Sequence, residues 1–118
     1  MGRVRSIFTL LVITIMVLTS CSASVSYTKE FGYLPSLEGM KVEKFIEPKD
    51  GNMGVATYKV SGSKVSDIAK SYIEVLKKDD WKINSSKNDV IEAEKGEHRV
   101  TIAPSQDKSG ILLTIVSK

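Results

Sequence analysis

The chain is poor in the residues that most often carry chemistry. Its 118 residues include one cysteine, one histidine and one tryptophan. A lone cysteine, Cys21, rules out an internal disulfide, and with His98 as the lone histidine the usual zinc sites of several thiolates or imidazoles are excluded too. The glycines are scattered singly, so neither a phosphate-binding loop nor a dinucleotide fingerprint is present. Long apolar runs are also missing. The most apolar stretch, Ile7 to Thr19, is 13 residues, whereas a membrane-crossing helix needs roughly 20.

What is there at the N-terminus has an order. MGRVRS is short and basic, the apolar run follows, and Ser20 with Cys21 ends it. That is the layout of a secretory signal peptide. Leu18, Thr19, Ser20 and Cys21, "LTSC", resemble the lipobox of bacterial lipoprotein precursors at all four positions. The resemblance covers residues 1 to 21. It implies cleavage by signal peptidase II between Ser20 and Cys21, a diacylglyceryl group on the Cys21 thiol and, in many bacteria, an acyl chain on the new amine. Two or more chains on one residue hold stably where a single chain binds only marginally, since each buried methylene contributes about 0.8 kcal/mol. Ser22 follows the cysteine, where lipoproteins kept at the inner membrane often carry aspartate. The resemblance therefore implies an exported, lipid-anchored protein, placed at the periplasmic face of the outer membrane if the source is Gram-negative.

Charge of one sign is not in excess. Residues 1 to 20 hold Arg3 and Arg5 and no acid, so their removal takes the 17 basic side chains to 15, against 14 acidic. No basic stripe is left for a phosphate backbone, and nucleic acid is not an expected partner.

The remainder divides into a tether over 21–40 and a single α+β domain over 41–118. The tether opens with small, polar residues and contains Gly32, Pro35 and Gly39, as spacers do. It also carries Tyr27, Phe31 and Tyr33. These rings can reach the headgroup region, dock a partner, or pack back onto the domain as flanking residues of a small core; the partner contact is the functional reading. In the domain, Val65, Ile68, Ala69, Tyr72, Ile73 and Leu76 fall on one stripe of a helix over 64–78, with Ser63 as its expected N-cap and Asp80 at or beside its C-cap. Residues 42–46 and 54–60 read as a hairpin around a turn at 48–52. Short period-two segments at 81–85, 90–94, 98–103 and 111–116 read as antiparallel strands joined by turns, the last turn being PSQDKSG. The predicted architecture is two layers, a mostly antiparallel sheet of five or six strands with one amphipathic helix packed on one face. Trp81, directly after the helix, is expected to close the helix-to-sheet corner. "LPSLEGM" and "ATYKVSGSKVSDIAKSYIEVLKKDDW" resemble a pattern of small uncharacterised bacterial envelope proteins, in which glycine commonly precedes the tryptophan where Asp80 stands here. No activity comes with that resemblance.

Candidate catalytic groups read as structural. His98 shares a strand face with Val100 and Ile102 and is expected to be half-buried with one hydrogen bond. Asp79 with Asp80 reads as solvated helix-end chemistry, and Glu92 with Glu94 as the outward face of a strand, with no second carboxylate across a cleft. Lys64 in "SGSK" lies at a helix start rather than beside a nucleophile. The expectation is a non-enzymatic binding or accessory domain without metal or cofactor, its partner an envelope protein or a cell-wall component. The alternative is a small-molecule or lipid-binding lipoprotein using a groove between helix and sheet. A pocket of roughly several hundred cubic ångströms is hard to fit inside so small a core, which favours the first.

Overall fold

Alternation of apolar and polar residues becomes one open antiparallel sheet. A computed structural model describes residues 25–62 and 64–118; the lipobox with Ser20 and Cys21, Ser22, and the expected cap Ser63 lie outside the described residues. In chain order the elements are β1 (Lys41–Ile46), β2 (Gly54–Val60), α1 (Val65–Lys78), β3 (Lys82–Ser85), a 3-10 turn (Lys87–Asp89), β4 (Ile91–Lys95), β5 (His98–Asp107) and β6 (Gly110–Ser117). The sheet order is β1-β2-β6-β5-β4-β3, and every neighbouring pair is antiparallel. The chain is thus an α+β protein of two layers.

Register sorts the core onto one face. Ala56, Ile115, Ile102 and Ile91 stand side by side across four strands, and Ser117, Val100 and Ala93 form the next row. All of these are buried, because side chains alternate strictly between the faces of a strand. Helix α1 buries Ile68, Ala69, Tyr72 and Leu76 and packs on β3 and β5. The residue before its first turn is Lys64, in extended backbone and without a side-chain cap bond. The opposite sheet face carries Val55, Thr57, Thr101, Thr114 and Val116, all half-buried.

The N-terminal tether is a correction. From Tyr27 to Leu37 the chain packs on the core face beside the helix. Phe31 and Leu34 are 1% and 0% exposed. Phe31 meets Phe45 of β1 edge-on at 5.5 Å, Tyr58 donates to Glu30 at 2.9 Å, and Tyr72 of the helix donates to the Pro35 carbonyl at 2.6 Å. One helix cannot cover a six-stranded sheet, and two apolar side chains from the flanking segment bury about 1.5–3 kcal/mol each when they fill the gap. Phe31 is therefore a core residue and not a partner contact, and the folded unit begins well before residue 41.

Turns largely fall where expected. Asp50 and Gly51 both have positive φ, and Asn52 donates to the Lys49 carbonyl at 2.8 Å, the two-residue geometry that matches strand twist. The PSQDKSG turn is shorter than expected, since β5 runs through Pro104 to Asp107. Arg99 and Lys118 exchange both backbone bonds, so odd-numbered residues of β5 bond β6 and the Pro104 nitrogen points toward β4. The pairing of β4 ends at Ile91 opposite Ile102. Proline at 104 thus costs no ladder bond.

Candidate functional site

The helix C-terminus builds one wall of a cleft. Asp80 adopts φ +65, Trp81 N–H bonds the Leu76 carbonyl at 3.0 Å, and Asp80 N–H bonds that of Lys77 at 3.1 Å. These are the two bonds of a Schellman cap, with the left-handed residue at Asp80. The cap turns Trp81 inward to 4% exposure, closing the corner as expected. It also turns the Asp79 side chain over the protein, where it is 11% exposed.

Asp79 is the hub of the site. Its carboxylate accepts from the Tyr27 hydroxyl at 2.7 Å and from the Trp81 indole N–H at 3.1 Å, and pairs with the Lys95 ammonium at 3.2 Å. Desolvation pushes its pKa up, but the bonds from Tyr27, Lys95 and Trp81 and the Lys95 charge outweigh it and hold the carboxyl below the usual value. The same bond, with Asp79's negative charge, raises the Tyr27 phenol. A carboxylate kept ionised by three donors positions its neighbours; it is not poised to take up a proton near neutral pH.

The other walls come from a loop and a hairpin. Thr28 accepts from Phe31 N–H at 3.1 Å and donates to the Phe31 carbonyl at 2.7 Å, a local turn that sends Phe31 into the core and Tyr33 toward β5. Tyr33 lies flat on His98, with centroids 3.6 Å apart and planes at 10°, and 6.4 Å from Trp81. Ser117 donates its hydroxyl proton to the Arg99 carbonyl at 2.7 Å. Tyr33 must therefore be the donor in its 2.8 Å bond to Ser117 Oγ. His98 is half-buried with its Nδ1 3.2 Å from the Lys118 carbonyl. Gly96, at φ +60, makes the tight β4–β5 turn that brings Lys95 and His98 together.

These walls enclose an open cleft of about 440 Å³. Gly32 and Gly96 on its rim leave room where a Cβ would meet nothing within 4 Å. The layer between helix and sheet is filled, with Tyr72, Leu76, Ile102 and Ile115 all at 0% exposure. A cleft of this size exists because it sits at the rim and takes nothing from the core.

Of the three tether rings singled out in the sequence, Tyr27 and Tyr33 reach the site and Phe31 does not. Tyr27 remains 47% exposed. Glu92 and Glu94 lie on the opposite sheet face, as their alternation implies. Asp79 and Lys95 escape sequence reasoning. Asp79 beside Asp80 looks like a solvated pair, and only the left-handed turn at Asp80 sets their side chains apart. Lys95 sits in a KGE turn, where lysine is ordinary. Among the described residues no cluster of three or more metal-ligating side chains occurs, and no helix is long and apolar enough to cross a membrane. Comparison with protein-family models, with curated proteins and with solved structures returned no match.

Proposed function

We propose that the chain is an exported, lipid-anchored envelope protein whose folded domain is a non-enzymatic binding module, with the cleft between Tyr27, Tyr33 and the Asp79–Lys95 pair as its binding site. The cleft carries this reading. Rings and charged groups drawn from three separate stretches of chain converge on it, and its hydrogen bonds fix their positions before any ligand arrives, as in a preformed site. The anchor rests on the LTSC resemblance and on the physical sense of several acyl chains on Cys21. A bound partner would meet a surface already rigid on the protein side, which lowers the entropic cost of association.

Cys21→Ala tests the anchor: labelled fatty acid incorporation and the shift to a cleaved form should both disappear. Continued labelling, or an unchanged mature N-terminus, removes the lipid from the reading. For the cleft, crosslinking in intact cells through a photoreactive residue at Glu97 should capture a component that the same probe at Glu92, on the opposite face, does not.

A further inference from the structure

The aromatic donors that usually greet a peptide are already engaged. Grooves that hold extended proline-rich segments present tryptophan N–H and tyrosine O–H groups to the ligand's carbonyls. Here Trp81 Nε1 and the Tyr27 hydroxyl both donate to Asp79, and the Tyr33 hydroxyl donates to Ser117. What remains for a ligand is different. Tyr27 offers a half-exposed ring held rigid through its hydroxyl, while Lys95 is 42% exposed and makes one ion pair among the described residues. Exposed Glu97 brings to the same rim a carboxylate with no partner among the described residues. The second nitrogen of His98 is left over from the contact with the Lys118 carbonyl.

Charge narrows the choice further. Asp79 and Lys95 neutralise each other, and the donors and acceptors left over are few, mixed in type and spaced around a ring face. A strongly anionic ligand would meet the Glu97 carboxylate, and a strongly cationic one the partly exposed Lys95 ammonium. A neutral ligand with an apolar face and a rim of hydroxyls, each able both to donate and to accept, meets neither obstacle. Taking the cleft as the binding site, as proposed above, we infer that it binds a neutral saccharide: a pyranose ring lies with its C–H face on Tyr27, and its hydroxyls bond Lys95, Glu97 and His98. The open shape of the cleft suits one or two rings of a longer chain, whether from a wall polymer or from a glycolipid head.

The test uses the full chain in a detergent without a sugar headgroup and follows the fluorescence of Trp81, its single tryptophan. The probes are chitotriose, cellotriose and a proline-rich decapeptide. Gly32→Leu is the blocking variant, since Gly32 has ordinary φ and its Cβ meets nothing, so the side chain fills the cleft while the melting temperature holds. A saturable response to at least one trisaccharide, lost in Gly32→Leu and weakened at least tenfold in Tyr27→Ala, is the expected result. A response to the decapeptide alone, blocked by Gly32→Leu, overturns the saccharide and leaves the cleft as the site. If no probe responds, the saccharide is overturned and the crosslinking at Glu97 decides the cleft; if Gly32→Leu responds like the parent, the cleft itself is overturned. Given a positive result, competition by soluble wall fragments against glycolipid vesicles identifies the source.

Discussion

At the scale of single residues, Asp79 carries more of the site than any other side chain. Its folded pKa is held below the ordinary carboxylate value by its three donors. A depressed carboxylate contributes stability that is complete above the unfolded value, about 3.9, and is lost as pH falls through the lower folded value. Asp79→Asn should therefore lie below the parent by a constant margin at neutral pH, with the two curves converging as pH falls below about 4. Denaturation of both proteins across pH 2 to 7 measures it, and a gap that persists in acid would mean that Asp79 acts through shape rather than charge. Replacement by alanine should cost more, about 1–3 kcal/mol, because the Tyr27 hydroxyl, the Trp81 N–H and the Lys95 ammonium all lose their charged acceptor.

At the scale of elements, most strands and the helix were legible, and the reason is periodicity. The segment around Val100 and Ile102 alternates because one face is buried and the other is partly open to water, and the Val65–Leu76 stripe repeats with helical period because one side of α1 lies on the sheet. The Asp80 cap was legible too, as a small residue between a lysine-ended helix and a tryptophan. There, φ +65 strains aspartate, so Asp80→Gly should stabilise by up to about 1 kcal/mol, while Ser71→Gly on the exposed mid-helix face should cost about as much. Equal losses on chemical denaturation would misplace the cap. What was not legible is the segment from Tyr27 to Leu37. Its prolines and glycines look like a spacer, yet they shape a loop whose Phe31 and Leu34 complete the core, and nothing local in the sequence separates those two uses. Half of the candidate site is built on that loop, so the site was illegible for the same reason. Phe31→Ala should cost about 3–5 kcal/mol by leaving a cavity against Phe45; a loss under 1 kcal/mol would return the segment to the status of a tether.

At the scale of the whole molecule, the proposed anchor and the cleft share one pole. Tyr27 lines the cleft and stands six residues after Cys21, and six residues reach at most about 20 Å when fully extended. If Cys21 carries lipid, the mouth of the cleft is therefore confined near the headgroups, and whatever binds there is met close to the membrane. A spacer that was meant to project the domain into the envelope would be longer. Inserting 15 Gly-Ser residues between Ser24 and Val25 adds a flexible segment with a root-mean-square length of about 20 Å, without touching any residue of the fold. Energy transfer from Trp81 to dansyl-labelled headgroups should be efficient in the parent, fall by at least half in the inserted protein, and vanish in a form that begins at Ser22, with one melting temperature for all three. Equal transfer in the parent and the inserted protein would show that a contact other than the tether sets the height of the domain, and the short link to Cys21 would no longer explain where the cleft works.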